Sequence, residues 1–261
     1  MLADSVLRRD DFRDVEAFCF FIGHARSGHS LVAALLNAHP NVVISNQVGA
    51  VRSIELGVPR ALLYAAILRK DRRFSLHWQS TTAEGYEYGV PNRWQGRFEK
   101  IAVIGDKRAA RSARRLAGNP PLLDKVRETV GVPLRVIQVT RNPFDTISTM
   151  SRRDKEGLEQ SADRFFAGEK AIEQVRAMLA PGELWAIRHE DLIADPEGSL
   201  KNTWEWLSVP ALPECIRDAA SIVKSSPHKT RNAVSWTTGL RAWVEEGISR
   251  VGYLAGYSFE D

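Results

Sequence analysis

Residues 18–40 constrain the fold of this chain more than any other stretch. They read FCFFIGHARSGHSLVAALLNAHP, and residues 18–22 form an almost wholly apolar run bounded by glycine. Such a run is typical of a buried strand in a parallel sheet. A polar loop over residues 23–30 follows, and then the helix-forming residues 31–36. This order of strand, loop and helix directs backbone N–H groups at an anion, so it predicts a phosphate-binding loop.

The loop departs from a nucleoside-triphosphate site at one position. Gly23 and Gly28 have the G-x-x-x-x-G spacing, but His29 stands where that motif has its lysine, and Ser30 follows. A kinase of this type would also need an acid to hold magnesium. Asp106, at the end of a hydrophobic run, could supply that acid. An ATP-dependent P-loop kinase is therefore one interpretation of the loop.

A phosphosulfate group suits the loop better than a triphosphate. It carries less charge, so Arg26 and the N–H groups of residues 27–30 would hold it without a metal. A tight turn with no ligand is the remaining interpretation. A turn alone does not require the sequence Arg-Ser-Gly-His-Ser at a helix start, which argues for a bound anion.

Four further apolar runs predict strands. They cover residues 42–45, 101–105, 134–139 and 184–187. Helix-like segments separate them, which predicts an α/β, three-layer P-loop-like fold with a mostly parallel central sheet of about five strands flanked by helices. Ligands of such sheets bind beyond the carboxyl ends of the strands. The polar residues that close strands one, three and four are therefore expected to meet in one crevice.

The length of 261 residues predicts a single domain, 1–261, with two distinct segments. Residues 72–98 are rich in aromatic residues and glycine and lack periodicity. This composition indicates either a packed surface insertion or a lid that contacts the substrate. Residues 213–261 are predicted to form a C-terminal helical cap.

The charge of the chain favours a small anionic ligand over nucleic acid. Lysine and arginine outnumber the acids 36 to 32, a net charge of +4, and no concentrated basic stripe accompanies this small excess. The two cysteines, Cys19 and Cys215, have no metal-ligand spacing, so no metal site is expected. No apolar run is long enough for a bilayer, and no secretory signal is recognisable. We therefore expect a cytoplasmic protein without nucleic-acid or membrane partners.

Several motifs together resemble the sulfotransferases that use 3′-phosphoadenosine 5′-phosphosulfate (PAPS), nearest to their tyrosylprotein and carbohydrate branches. Residues 26–31, RSGHSL, with LLNAHP at 35–40, are similar to the family's 5′-phosphosulfate loop. Residues 139–145, VTRNPFD, resemble its 3′-phosphate motif. Residues 187–196, IRHEDLIADP, resemble its later Y-E-D-L-x-x-x-P segment. Each motif alone is weak, but their order and spacing cover most of the chain.

The resemblance implies PAPS as the cofactor and 3′,5′-adenosine bisphosphate (PAP) as the product. It assigns the 5′-phosphosulfate to Arg26, Ser27, Gly28, His29 and Ser30. It assigns the 3′-phosphate to Arg141 with Thr149, or Ser148 as the alternate, and to Lys229 and Arg231 of a C-terminal basic loop.

The resemblance also gives Lys107, after the third strand, the role of stabilising charge on the leaving group. The alternatives to these roles need no ligand. Lys107 would then be a solvated surface lysine, and Lys229 and Arg231 would belong to a charged loop. Arg141 would pair with Asp145 and only cap the next helix.

The residue that takes the acceptor's proton is not fixed by the sequence. Attack by a hydroxyl on sulfur requires such a base. The resemblance implies a glutamate several residues after the His-Pro pair, yet residues 44–48 contain no carboxylate. The remaining candidates are His24, His29, His77 and Asp106.

The sequence therefore predicts a PAPS-dependent sulfotransferase. It would move a sulfuryl group by in-line displacement to a hydroxyl or amine of a small-molecule or glycan-like acceptor. The alternatives are an ATP-dependent P-loop kinase and a non-catalytic nucleotide-binding protein of the same fold. The acceptor itself cannot be predicted from the residues.

Overall fold

The computed structural model describes residues 12–75, 88–92 and 94–261. The strands are β1 (Ala17–Ile22), β2 (Val42–Asn46), β3 (Val103–Lys107), β4 (Leu134–Thr140) and β5 (Leu184–Arg188). They form one sheet in the order β2-β3-β1-β4-β5, and all four strand pairs are parallel. The carboxyl ends of the strands therefore lie along one edge of the sheet.

Helices connect the strands and cover both faces of the sheet. In the described part of the chain they are α1 (His29–Leu36), α2 (Ala50–Glu55), α3 (Arg60–Ser75), α4 (Ala109–Gly118), α5 (Pro121–Val130), α6 (Pro143–Asp154), α7 (Leu158–Met178), α8 (His189–Ala194), α9 (Pro196–Trp206), α10 (Pro213–Ala220) and α11 (Thr238–Ser249). Short 3-10 turns lie at Thr230–Ala233 and Gly252–Leu254. Parallel strands require such crossover connections, and helices are the usual ones.

The central strand β1 is buried on both faces, which explains its nearly continuous apolar sequence. Cys19 and Phe21 face an apolar cluster formed with α1, α9 and α10. Phe18 and Phe20 face the opposite cluster, formed with α2, α3, α4, α5 and α7. A third cluster joins α6, α7 and α11. The predicted α/β fold with three layers and a parallel five-stranded sheet is confirmed.

Strand β3 lies two residues later than its apolar run suggested. The predicted strand was 101–105, whereas pairing continues to Asp106, opposite Phe20, and to Lys107, opposite Asn46. The strand is hydrogen-bonded on both sides, so its ladder extends past the last apolar residue. Lys107 consequently lies at the strand end itself and is buried there.

The aromatic segment 72–98 is described in part. Gln95 is buried and its side-chain amide donates to the carbonyls of Ala34 and Tyr88, at 2.9 Å each. These bonds hold the end of the segment against α1. Residues 76–87 and 93, which include the candidate base His77, lie outside the described residues. The choice between a packed insertion and a lid stays open.

The chain after α10 runs back across the carboxyl edge of the sheet. Its turn at Thr230–Ala233 contacts α6, and its last helix α11 packs on α6 and α7. The division into one domain with a C-terminal cap stays a prediction. Of the helices described, none has the length and apolarity to cross a membrane.

Candidate nucleotide and active site

The loop between β1 and α1 has the backbone of an anion-binding turn. Gly23, Arg26 and Gly28 have φ values of 123°, 74° and 103°. Left-handed residues in such a short loop turn successive N–H groups towards one side. Helix α1 then begins at His29, where its first N–H groups have no partner within the helix. The predicted phosphate-binding loop thus has the expected strand–loop–helix geometry.

The side chain of His29 lies beneath the loop. It is 6% exposed, and its Nε2 is 3.1 Å from the hydroxyl of Ser27, itself buried. Burial, reinforced by the neighbouring Lys107, His24 and His189, lowers the pKa of His29 well below its ordinary value. The imidazole is therefore neutral near pH 7 and bonds to the loop itself. Only the backbone N–H of His29 belongs to the helix start.

Lys107 brings a buried cation to the start of α1. Its ammonium donates to the hydroxyl of Ser30 over 2.9 Å, although the two residues lie on different elements. Burial lowers the pKa of Lys107 to about 8; Asp106 opposes this shift and Arg26 adds to it. The lysine is mostly charged at pH 7 and points at the start of α1.

His24 lies on the β4 side of the same loop. Its Nε2 is 2.6 Å from the carboxylate of Glu169, and its ring stacks on Phe165 with 3.9 Å between the centroids. The hydroxyl of Ser27 donates to the backbone carbonyl of His24 over 3.0 Å. His24 and Glu169 border a recess under the loop with room for about one water molecule. The imidazoles of His24 and His29, the two candidate bases in this loop, are therefore both hydrogen-bonded to protein side chains.

A second polar cluster forms where β4 meets α6. The guanidinium of Arg141 donates to the hydroxyl of Thr230 at 3.3 Å and to the backbone carbonyls of His228 and, at 3.4 Å, Arg26. The hydroxyl of Thr149 lies 3.2 Å from that of Thr230. Arg141 thus connects the first loop and the end of β4 to the loop that contains His228 and Thr230.

The two hydroxyls after Arg141 have different surroundings. Ser148 is fully buried and its oxygen accepts from the indole N–H of Trp236 at 3.2 Å. Thr149 instead faces Arg141 through Thr230. Because helical neighbours point about 100° apart, only one of them can face the cluster. The geometry favours Thr149.

Lys229 and Arg231 are also placed differently. Arg231 is 2% exposed and pairs with the carboxylate of Asp145 at 3.2 Å, while its backbone N–H donates to the same carboxylate. Lys229 is exposed beside Thr230. Asp145 is therefore the partner of Arg231 and not of Arg141. The interpretation of Arg141 as a helix cap paired with Asp145 is wrong, because another guanidinium occupies that carboxylate.

The carboxylate of Asp106 is committed to the fold. It accepts from the N–H groups of Val48, Gly49 and Ala50 at 2.8–3.0 Å and from the hydroxyl of Ser45 at 3.0 Å. Four donors use its lone pairs, so Asp106 fixes the start of α2. Over residues 12–75, 88–92 and 94–261, no group of three or more His, Cys, Asp or Glu side chains could hold a metal ion.

Residues that sequence reasoning did not assign to the site complete it. His189 lies over Gly28, where a Cβ would come within 2.6 Å of its Nδ1. Burial and the nearby Arg141 lower the pKa of His189 to about 4. Glu190 accepts from the backbone N–H of Asn142 at 2.9 Å. The IRHEDL segment signalled His189 and Glu190, whereas nothing in the sequence pattern signalled Thr230 or Glu169.

Two buried nitrogens test whether the cluster fits an anionic nucleotide. Among the described residues, Nε of Arg141 and Nδ1 of His189 have no hydrogen-bond partner. Buried polar atoms without a partner are costly, and an added ligand commonly satisfies them. A guanidinium N–H and a glycine-lined helix start are suitable donors for phosphate oxygens. The residues present therefore fit anionic groups at two points, the first loop and the Arg141 cluster.

The fold is that of a P-loop-like α/β protein, and both clusters of candidate anion donors lie at the carboxyl edge of its sheet. The match to a family model makes the class specific. The model described as "Sulfotransferase family" matches residues 19–214, which is most of the chain. The chain belongs to the sulfotransferase family.

Three solved structures with the same fold are sulfotransferases of low sequence identity to this chain. The sulfotransferase domain of the olefin synthase of Synechococcus PCC 7002 is 14% identical, with a TM-score of 0.58 over 92% of this chain and 96% of that one. The sulfotransferase domain of the curacin biosynthetic pathway is 14% identical, with a TM-score of 0.53 over 91% and 98%. Mouse sulfotransferase SULT7A1 complexed with PAP is 13% identical, with a TM-score of 0.52 over 94% and 88%. A search of curated proteins found no match.

Proposed function

We propose that this protein transfers a sulfuryl group from PAPS to a hydroxyl or amine of a small acceptor by in-line displacement. The observation that carries the proposal is the 2.9 Å bond from Lys107 to Ser30. It places a buried cation from β3 at a phosphate-binding loop whose own lysine position is a histidine. The loop therefore has the charge to hold a phosphosulfate.

The 5′ end of the cofactor is assigned to the first loop. The N–H groups of residues 27–30, the exposed Arg26 and the hydroxyl of Ser30 would bind the phosphosulfate oxygens. When bound, PAPS supplies an activated sulfuryl group on a phosphate leaving group. Lys107 would donate to the oxygen on which charge develops as that bond breaks, and a preorganised cation at such an oxygen stabilises the transition state.

The 3′ end is assigned to the second cluster. Arg141 and Thr149 would hold the 3′-phosphate, and Lys229, directly before Thr230, would contact the same phosphate from the other side. The alternate Ser148 is less suited because it bonds to Trp236. Arg231 would act indirectly by holding Asp145, and hence the start of α6, in place.

None of the candidate bases among the described residues is free of hydrogen bonds to the protein, so none is clearly available to take the proton of the acceptor. His24 bonds to Glu169, His29 bonds to Ser27, and Asp106 accepts four hydrogen bonds. His77 lies outside the described residues and remains a candidate. We propose a small-molecule or glycan-like acceptor for the same sheet edge.

Calorimetric titration separates the proposal from its kinase and non-catalytic alternatives. We expect the wild-type protein to bind PAP in EDTA, and to bind Mg-ATP far more weakly. Release of sulfate from PAPS in the presence of acceptor mixtures then tests catalysis. Binding of Mg-ATP without binding of PAP would overturn the assignment, and binding of PAP without any turnover would leave only a nucleotide-binding protein.

Substitution of Arg141 tests the 3′-phosphate assignment. Arg141→Ala is expected to weaken PAP binding by ~1.5–3 kcal/mol, the scale of a hydrogen bond to a charged group. Arg114→Ala, at an exposed arginine of α4, is the matched control and should leave the affinity unchanged. Equal affinities of wild type and Arg141→Ala would remove Arg141 from the site.

A further inference from the structure

The C-terminal segment after α11 reaches both phosphate-binding loops through two carboxylates, those of Glu169 and Glu190. The segment comprises Tyr253–Asp261 and lies outside the residues that the family model matches. Tyr253 and Tyr257 flank a left-handed turn at Gly256, whose φ is 89°. Each tyrosine donates its hydroxyl to a different glutamate: Tyr253 to Glu169 and Tyr257 to Glu190.

The first chain of contacts ends at the 5′-phosphosulfate loop. Glu169 is 2% exposed and receives the Tyr253 hydroxyl on one oxygen. Its other oxygen is 2.6 Å from Nε2 of His24. The backbone carbonyl of His24 in turn accepts the hydroxyl of Ser27. Glu169, His24 and Ser27 therefore connect Tyr253 to the loop whose N–H groups would bind the sulfuryl end.

The second chain ends at the 3′-phosphate loop. Glu190 receives the Tyr257 hydroxyl at 2.8 Å and the backbone N–H of Asn142 at 2.9 Å. The side-chain amide of Asn142 donates to the carbonyl of Ser258 at 2.8 Å. Asn142 also caps α6, because its side-chain oxygen accepts from the N–H of Phe144. The segment thus contacts the residue directly after Arg141 in two ways.

Both tyrosines are held so that their hydroxyls keep these partners. The guanidinium of Arg176 lies over the ring of Tyr253 at 4.4 Å, and that of Arg188 lies over the ring of Tyr257 at 4.1 Å. Tyr257 is 6% exposed. Stacked and buried rings have few rotamers, so the hydroxyls hold the carboxylates in fixed positions.

We propose that Tyr253 and Tyr257 are positioning residues for the two ends of the cofactor, Tyr253 for the 5′-phosphosulfate loop and Tyr257 for the 3′-phosphate loop. The identity of the ligand in this inference rests on the proposed function, whereas the contacts of the two tyrosines do not. Neither hydroxyl contacts the cofactor. Each keeps a loop in the conformation that binds, which lowers the amount of ordering that binding must supply.

Phenylalanine variants remove each hydroxyl and keep each ring. Tyr253→Phe and Tyr257→Phe are each expected to weaken PAP binding about 5- to 30-fold, since each leaves a carboxylate, buried at Glu169 and half-buried at Glu190, with one donor fewer. Because the two contact chains share no residue, the effects should multiply in the double variant. Tyr64→Phe is the control, since its buried hydroxyl donates to Val130 on the α3–α5 side.

Hydrogen–deuterium exchange of the free proteins provides a readout that needs no ligand. Tyr253→Phe should speed exchange of the first hydrogen-bonded amides of α1, from Val32 onwards, which are bonded back to the loop at Gly28, and not of residues 142–146; Tyr257→Phe should do the reverse. Tyr64→Phe should change neither segment, even if it lowers the melting temperature equally.

The outcomes separate the inference from the proposed function. Wild type that fails to bind PAP would overturn the function, while the exchange pattern would still decide the inference. Wild type that binds PAP, together with phenylalanine variants that match it in affinity and in exchange, would overturn the inference. Loss of protection spread evenly over the chain would also overturn it, because that marks a general stabilising role.

Discussion

At the scale of single residues, the proposed site includes a lysine contributed from outside the first loop. His29 occupies the lysine position of the loop motif, yet its ring is buried beneath the loop and neutral. Lys107 reaches the same helix start from the neighbouring strand. Parallel strands bring residues distant in sequence to one edge, so β3 can replace a charge missing after β1.

The pH dependence of turnover follows from the pKa of Lys107. Its folded value of about 8 lies below the ordinary 10.5, so the required charged form is lost as the pH rises through about 8. We expect kcat/KM, which reports the free enzyme, to fall above this pH. The bound sulfate charge favours the ammonium, so kcat should fall at a higher pH than kcat/KM.

Variants of Lys107 provide the control for this profile. Lys107→Ala should lower kcat by ~10²–10³ with little change in PAP affinity, as for the loss of one electrostatic donor. Lys107→Arg keeps a charge and should retain kcat/KM above pH 8 relative to its own value at pH 7. An unchanged kcat in Lys107→Ala would show that the lysine is only a buried structural residue.

At the scale of elements, the strand–loop–helix unit requires glycine at one position for two reasons. Gly28 has φ 103°, and a Cβ there would come within 2.6 Å of His189. Gly57, in the turn between α2 and α3, has φ 79° but no atom within 4 Å of its Cβ position. Both positions have the backbone strain, but only Gly28 has the close contact with His189. Comparing substitutions at the two glycines therefore separates the two effects.

Alanine at these two glycines should have different effects. Both Gly28→Ala and Gly57→Ala are expected to lower the free energy of unfolding by ~1–2 kcal/mol through the left-handed backbone. Only Gly28→Ala should also weaken PAP binding, by about 10- to 100-fold, because His189 and the loop must move apart. Urea unfolding and calorimetry measure the two quantities. Equal PAP affinity of both variants would contradict the close contact.

Sequence patterns predicted the elements better than the contacts between them. The apolar run before Gly23 and the motif around Arg141 located β1, β4 and the loops that follow them, because strand and turn signals are local. The partners of Asp106 and Asp145 were not predictable, since they depend on which distant N–H group or guanidinium lies opposite. Chain distance explains the same failure for Thr230, 89 residues from Arg141.

At the scale of the whole molecule, the turn at Thr230–Ala233 is attached to the carboxyl edge of the sheet through a buried ion pair. Arg231 and Asp145 are 2% and 3% exposed at their side chains, and the pair links the turn at Thr230–Ala233 to the start of α6. Trp236 and Phe259 pack on Phe144 in the same region. Loss of this attachment would release Thr230 from Arg141.

Arg231 and its neighbour Lys229 should therefore differ in what their removal changes. Arg231→Ala leaves Asp145 buried without its cation, and is expected to lower the free energy of unfolding by ~3–5 kcal/mol. Lys229→Ala should change stability by less than about 0.5 kcal/mol, as for an exposed side chain. Its effect should be on PAP affinity, weaker by about 2- to 10-fold. Stability effects of equal size would contradict these separate roles.

A crystal structure of the protein with PAP bound tests the central claim most directly. The account predicts the 5′-phosphate within hydrogen-bond distance of the N–H groups of residues 27–30, and Lys107 facing the side from which sulfate has left. It predicts the 3′-phosphate on Arg141 and Thr149. PAP bound away from the carboxyl edge of the sheet, or with its two phosphates exchanged between the clusters, would contradict the account.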